Sequence, residues 1–272
     1  MSNPPDWSAE FPEPEFPDAP NYSTWDVASH GPEPRPAWVV TELAARDTDL
    51  GRLKSGKEAD VHLVRRALPG QDGTLLAAKR YRSAEHRLFH RDAAYTDGRR
   101  VRRSRENRAM TRRTEFGRQL LAGQWARAEF DALTQLWTLG APVPYPVQLH
   151  GTELMLEFVG EPDGTAAPRL AQTRPSPSES AELFQQCRDA MLILAENGWA
   201  HGDLSAYNLL VGPARLVLID LPQIVDVVAN PQGAAFLHRD CVNVCAWFAG
   251  HGHDADPELL FGDLMAAAVA RW

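Results

Sequence analysis

Asp203 and Asn208 stand five positions apart in "HGDLSAYNLLV", and Asp220 follows twelve residues later at the end of the apolar run "LVLI". No other feature limits the fold and its chemistry as tightly. "NLLV" and "LVLID" read as a pair of short strands, so Asn208 opens one and Asp220 closes the other. Phosphoryl transfer demands little covalent chemistry of a protein; it demands positioning and charge neutralisation. A carboxylate must orient the attacking hydroxyl, two oxygen ligands must hold Mg²⁺, and a cation must meet the phosphates. Asp203 can supply the first carboxylate, Asn208 one metal ligand, and Asp220 the carboxylate that bridges metal to phosphate. Oxygen donors of this kind suit Mg²⁺ or Mn²⁺.

The cation has few candidates. Only Lys54, Lys57 and Lys79 occur, in a chain that otherwise uses arginine throughout. Ammonium and guanidinium are not interchangeable, so three neighbouring lysines point to ammonium chemistry. Lys79 ends "LLAAK", the place of the third-strand lysine that pairs with the α- and β-phosphates in protein kinases, and Glu129 on the following helix is placed to pair with it. "SGKEADV", Ser55 to Val61, precedes the strand "VHLV", where a phosphate-covering loop belongs, although it carries one glycine rather than three. Taken singly, each piece has a plainer reading: H-x-D as a solvated turn, Lys79 as a snorkelling surface residue, Asp220 as a turn cap. Five pieces in the right order, with the right elements between them, outweigh those readings.

A length of 272 residues suits one large domain or two lobes, and 44% hydrophobic with 24% charged side chains is an ordinary globular balance. No apolar run reaches membrane-spanning length, and "MSNPPDWSAE" lacks the basic-then-apolar pattern of an export signal. Cys187, Cys241 and Cys245 make no disulfide framework. A cytoplasmic setting with no membrane partner is therefore expected. Cys241 and Cys245, with His238, His251 and His253 nearby, read as helix core rather than as a zinc site. The net charge of −8 hides a block asymmetry: Arg82 to Arg118 holds twelve arginines against five acids, while the first thirty-four residues hold acids and no Lys or Arg. Such blocks predict a charged partner, or contact with each other.

Along the chain, residues 1–37 are proline-rich and acidic and read as a tail, disordered or docked through Trp7, Phe11, Phe16, Tyr22 and Trp25. A short helix is expected over Trp38 to Ala45. "DVHLVRR" and "LLAAKRY" read as strands joined by the turn "LPGQDGT". Phe130, Leu133, Leu136 and Trp137 fall at helical spacing in a helix that stops at Gly140. "PVQLHG" and "ELMLEFVG" read as a hairpin, a helix runs from about Glu179 to Gly198, and further helices follow Pro231.

"SGKEADVHLV", "AAKRYR", "FHRD", "WARAEFDALTQLWTLGAPVPYPVQL", "LMLEFVG", "HGDLSAYNLLV", "LIDLPQIVD" and "FLHRDCVNVCAWF" together resemble the RIO family of atypical serine/threonine protein kinases. The resemblance runs from about Val39 to Phe248. It implies an α+β, two-lobed, protein-kinase-like fold: a β-rich N-lobe over residues 38–158 with an αC-type helix, and a reduced helical C-lobe over 159–272. It implies an ion pair of Lys79 with Glu129, Asp203 as the catalytic aspartate, and Asn208 with Asp220 as metal ligands. ATP is the implied cofactor, with Ser55, Gly56 and Lys57 over the triphosphate, Val61 against the nucleotide, Leu156 behind the adenine and the backbone from Glu157 to Val159 holding it. The basic segment 83–113 falls where the family carries a flexible insertion; there it could bind ribosomal RNA or a ribosomal particle, fold over ATP, or meet the acidic tail.

Two positions depart from the family pattern, Pro222 for a usual Ser and Asp60 for a usual Asn, and neither removes a phosphate or metal ligand. Only fifty-two residues follow Asp220, too few for an activation segment and peptide-docking helices, and Gly202 replaces the arginine that pairs with a phosphorylated activation loop in many kinases. Mg²⁺-dependent transfer to protein Ser/Thr, autophosphorylation included, is the expected activity. An ATPase switch on a ribosomal or RNA–protein assembly is the alternative. A small-molecule kinase would need a helical substrate subdomain for which the chain lacks length, and a pseudokinase would lack a catalytic residue.

Overall fold

"ADVHLVRRA" and "TLLAAKRY" are short runs rich in apolar residues whose side chains point alternately to the two faces of a sheet, so each strand can serve a core on both sides. In the structure, a computed structural model that describes residues 21–82, 115–221 and 224–270, these strands sit inside a six-stranded antiparallel sheet. Its members are β1 (Ser29–His30), β2 (Arg46–Ser55), β3 (Ala59–Ala67), β4 (Thr74–Tyr81), β5 (Pro146–His150) and β6 (Glu153–Glu157), in the order β1-β5-β6-β4-β3-β2. Register sets Lys54, Val61, Lys79 and Leu154 side by side, with Leu63, Ala77 and Leu156 in a parallel row on the same face. That inner face takes helix α1 (Glu115–Thr138), whose Ala122, Ala126, Phe130, Leu133 and Leu136 are buried with Tyr81, Leu149 and Leu154. The expected helix stop holds: Gly140 adopts φ 78°, a left-handed turn that glycine tolerates best.

The outer face of the sheet buries Val64, Leu76, Ala78 and Met155 under Trp25, Tyr145 and Val147. Trp25 comes from the proline-rich stretch, which from Asn21 onward lies on the sheet; residues 1–20 fall outside the described residues. The Trp25 ring stacks on His30 at 3.8 Å and carries the Arg35 guanidinium 4.9 Å above it. Tyr145 donates its hydroxyl hydrogen to the Pro32 carbonyl, and Gln148 Nε2 donates to Thr24 Oγ1. Truncation of Trp25 to Ala removes the largest apolar side chain of this layer. We expect a loss of about 3 kcal/mol in unfolding free energy, read by urea denaturation.

The helix expected over Trp38 to Ala45 is absent. Two isolated turns take its place, closed by Val39 N–H to Pro36 carbonyl and Ala45 N–H to Glu42 carbonyl. Trp38 and Val39 pack on the outer core instead, and one turn without a second to extend it does not nucleate a helix. β2 was not foreseen from the sequence: it is an edge strand with nine of its ten residues exposed or carrying charge outward, so no apolar alternation marks it.

The second lobe is built on helices α2 (Pro177–Glu196), α3 (Gly233–Ala249) and α4 (Pro257–Val269). Ser176 caps α2 in a reciprocal box with Glu179, and Asp256 caps α4. Cys187, Met191, Leu194, Leu237, Val244, Phe248, Leu260 and Leu264 form their common core, continuous with that under α1. Two small antiparallel pairs lie on it: β7 (Trp199–Ala200) with β10 (Val225–Asp226), and β8 (Leu209–Val211) with β9 (Leu216–Leu218). The architecture is α+β in two lobes, a sheet with one long helix and a short helical lobe. Among the described residues no helix is long and apolar enough to cross a membrane.

Candidate active site

Lys79 projects from the inner face of β4 between the lobes. Its Nζ donates to Glu129 of α1, with 2.7 Å to Oε2 and 2.8 Å to Oε1, and to Asp220 Oδ1 at 3.2 Å. The Lys79 side chain is 14% exposed and that of Glu129 2%, so the pair is held out of water, where an unpaired charge would be costly. Tyr81, two residues along the same strand face, donates its hydroxyl hydrogen to Glu129 Oε2 and completes that carboxylate's shell. Burial pulls Lys79 down, but the charges of Glu129 and Asp220 outweigh it and hold the ammonium above its usual pKa. Burial pushes Asp220 up, and Lys79, with His201 and Lys54 behind it, holds it below the usual carboxylate value. Burial, then Glu129, raises the Tyr81 phenol well above its ordinary range.

Asp220 follows β9 with φ 66°, the one non-glycine residue among those described with a left-handed backbone. That conformation costs a β-carbon on the order of 1 kcal/mol, and such strain gathers where surroundings fix a functional geometry. Here the surroundings are legible. Ile219 N–H donates to the Asn208 carbonyl at 3.0 Å, and the Ile219 carbonyl accepts from His201 Nε2 at 3.0 Å, which places the ring proton on Nε2. The leg carrying Asp220 is therefore stitched to the loop carrying Asp203 and Asn208. Within that loop Asn208 Nδ2 donates to the Asp203 carbonyl at 2.9 Å, which fixes the amide and identifies its oxygen as the free end for a ligand.

The loop itself hangs from α3. Asp240, fully buried, accepts from Gly202 N–H at 2.7 Å on one oxygen and from Leu204 N–H at 2.8 Å on the other. Arg239 donates to the Gly202 carbonyl and Asn243 Nδ2 to the Leu204 carbonyl at 3.1 Å. Asp203 is thus gripped on both sides by one helix. Gly202 takes φ 81°, which explains a glycine where a side chain would strain the turn. Burial pushes the Asp240 carboxyl up, opposed by His201 and the two backbone donors. In an Asp240→Asn variant one backbone N–H faces an amide N–H₂ and loses its acceptor. We expect about 2 kcal/mol lower stability in denaturant titration.

The remaining expected residues fall around the same cleft. Ser55, Gly56 and Lys57 form the turn between β2 and β3, closed by Gly56 N–H to the Ala59 carbonyl at 2.9 Å. Ser55 Oγ accepts from Arg82 Nη2 at 2.8 Å, and Arg82 is in turn bidentate to Asp60, so the departure to Asp at that position buys an ion pair that steadies the turn. Val61 neighbours Lys79 across the ladder, and Leu156 neighbours Ala77. The Glu157 N–H is used by the Tyr145 carbonyl and the Val159 carbonyl by Ala167 N–H, while Val159 N–H has no backbone partner among the described residues. Residues 83–114, with the insertion expected at 83–113, and Pro222 lie outside the described residues.

Sequence reading did not assign Tyr81 or Asp240. Asp240 left one trace, a lone acid on the apolar face of "FLHRDCVNVCAWF". The cysteines are core, as read: all three are buried, and burial lifts the thiols of Cys241 to about 12 and Cys245 to about 11. The nearby histidines are taken up elsewhere, His238 by Glu258 and His251 by stacking on Trp247.

A lysine bridging two carboxylates across two lobes, over a loop with Asp203 and Asn208, is the layout of a kinase-type cleft. Comparison with known proteins agrees. The RIO domain model matches residues 67–259. The chain is 35% identical over 212 residues to the RIO-type serine/threonine-protein kinase Rio1 of Haloferax volcanii, covering 78% of this chain and 67% of that one. It is 28% identical over 220 residues to the serine/threonine-protein kinase rio1 of Schizosaccharomyces pombe, but spans only 42% of that protein's length. In fold it resembles the Rio2 kinase of Chaetomium thermophilum, solved as an ADP/Mg²⁺–phosphoaspartate complex, with TM-score 0.56, 20% identity, and 82% of this chain and 66% of that chain covered. With the matched span running from the end of β3 to the start of α4 and enclosing Lys79, Glu129, Asp203, Asn208 and Asp220, the chain belongs to the RIO domain family of serine/threonine-protein kinases.

Proposed function

We propose that this chain transfers the γ-phosphoryl group of ATP, with Mg²⁺ or Mn²⁺, to serine or threonine hydroxyls of protein, its own included. The observation that carries the proposal is the Lys79 bridge to Glu129 and Asp220 above the loop of Asp203 and Asn208. In the reaction the acceptor oxygen bonds to the γ-phosphorus, the bond from that phosphorus to the ADP oxygen breaks, and the hydroxyl proton passes to Asp203. Lys79, oriented by Glu129, meets the phosphate charge. Ser55, Gly56 and Lys57 cover the triphosphate, Val61 and Leu156 flank the base, and the backbone from Glu157 to Val159 supports it, Val159 N–H being the available donor.

The donor set suits a hard divalent ion. Asn208 has its amide nitrogen committed to the Asp203 carbonyl and its oxygen presented, and the Asp220 carboxylate stands on the adjoining hydrogen-bonded leg. Two oxygen ligands with room for water and phosphate fit Mg²⁺. When bound, the ion would neutralise phosphate charge and hold the triphosphate in line.

Incubating the full chain with γ-labelled ATP and Mg²⁺, alone and with cell lysate, tests the proposal. Label in acid-stable phosphoserine or phosphothreonine supports it; release of phosphate with no labelled protein overturns it. A second reading has its own observation: the Asp220 side chain is 49% exposed and held at the strand end by a strained backbone, so it could itself accept phosphate. The phosphoaspartate in the Rio2 structure is of that chemistry. An ATPase switch of this kind would give acid-labile, hydroxylamine-sensitive label on Asp220 and phosphate release stimulated by ribosomal particles, with the 83–113 arginines as the RNA contact.

A further inference from the structure

Lysine occurs three times in the chain, and the phosphotransfer reading absorbs Lys79 and Lys57. Lys54 is left. It lies in the last turn-ward residues of β2, in register with Val61, which is itself in register with Lys79. Residues directly paired across an antiparallel ladder share a face, so Lys54 presents to the same inner face as Lys79, about 10 Å away across two strand spacings. Arg169 approaches from the other lobe. It bridges Leu210 of β8, two residues beyond Asn208, and its N–H is anchored by Gln172 Oε1 at 2.9 Å. The turn before it, at Gly164, comes up to the Leu63 side chain on that same inner face, so close that an added β-carbon would stand 3.0 Å from Leu63 Cδ2. Lys54 therefore lies within electrostatic range of Arg169, Asp220 and Lys79 across the cleft.

We propose that Lys54 and Arg169, one from each lobe, form a second cationic contact for the nucleotide's polyphosphate, separate from the Lys79–Glu129 pair. Lys79 already has two carboxylate partners, whereas neither Lys54 nor Arg169 forms an ion pair among the described residues. Lys54 and Arg169 repel each other, and Asp220 offsets that repulsion only in part until an anion enters. Burial first, then Arg169, with Lys79 adding to it, draws the Lys54 ammonium below its usual value while Asp220 opposes. A triphosphate supplies negative charge and joins the lobes through it. The contact is to charge and not to the base, so its contribution grows with phosphate number and falls with salt.

The inference rests on the nucleotide reading above, and one set of titrations separates the two. Isothermal titration of the full chain with Mg²⁺–ATP and with adenosine, at low and high salt, compares wild type with Lys54→Met, Lys54→Arg and Arg169→Met. We expect Lys54→Met and Arg169→Met each to weaken ATP about tenfold, an effect of one charge-assisted contact. Adenosine affinity should stay unchanged, Lys54→Arg should keep most of the ATP affinity, and the wild-type advantage should shrink at high salt. ATP affinity in both Met variants within about twofold of wild type, beside a wild type that binds ATP, overturns this inference alone. A wild type with no ATP affinity overturns it together with the nucleotide reading. Equal loss for adenosine and ATP overturns the charge contact in favour of general damage to the cleft.

Discussion

Asp203→Ala will remove phosphoryl transfer and spare nucleotide binding. On the proposed mechanism its carboxylate takes the acceptor's proton, and a positioned base of that kind is worth about 10²–10⁴ in rate. We expect turnover to fall by about a thousandfold, with ATP affinity within about twofold of wild type, because the lost interaction is one made with the acceptor in the transition state. The described anchors of the loop run through its backbone. Asp240 holds the loop through the backbone N–H groups of Gly202 and Leu204, and Asn208 Nδ2 binds the backbone carbonyl of residue 203, so none of these bonds needs the Asp203 side chain. Quantified label transfer against calorimetric ATP binding reads both quantities on one preparation. Turnover that survives in the variant refutes a base at Asp203. A parallel loss of ATP affinity would move the residue from the acceptor to the nucleotide. Under the ATPase reading the same variant would retain label on Asp220, so the chemical stability of any residual label tells the two apart.

What the sequence showed clearly was whatever repeats. β3 and β4 are short apolar-rich runs joined by a turn, α1 repeats its apolar residues at helical spacing, and α2 was expected from about Glu179, two residues inside its start at Pro177, so each was legible before the structure. β2 repeats nothing: "RDTDLGRLKS" is an edge strand whose partners are backbone groups of β3, and backbone pairing leaves no mark on side-chain pattern. The segment from Trp38 to Ala45, expected as a short helix, makes its contacts with the outer face of the sheet and with solvent. The site divides in the same way. Lys79, Asp203, Asn208 and Asp220 were found through fixed local spacing. Asp240 supports Gly202 from 38 residues away and Tyr81 completes Glu129 from 48 residues away. Those separations are set by how α3 and α1 pack, and no single-sequence period encodes them.

Lys79→Met should cost stability as well as activity, and the two losses should separate in a double variant. Removing the ammonium leaves Glu129, 2% exposed, with the Tyr81 hydroxyl as its remaining donor among the contacts described. Breaking a buried pair from one side costs about 3–5 kcal/mol, most of it the stranded charge. Urea denaturation should therefore show Lys79→Met less stable by about 3 kcal/mol. Adding Glu129→Gln takes the stranded charge away, so the double variant should recover much of that stability. On the proposed mechanism it should recover none of the transfer activity, because the Lys79 ammonium is still missing from the phosphates. A double variant no more stable than Lys79→Met would mean that the pair is not held as a buried ionic unit. The same pair fixes the pH response. Lys79 is raised in the folded state, so its contribution is present below the unfolded lysine pKa of about 10.4 and lost as pH rises through the folded value. Asp220 is lowered, so its contribution is present above the unfolded aspartate pKa of about 3.9 and lost as pH falls through the folded value. Neither group changes charge between about pH 5 and 9, and the wild-type stability carried by this bridge should be flat across that range. A Lys79→Met stability deficit that varies steeply near neutrality would place a different titrating group in contact with the bridge.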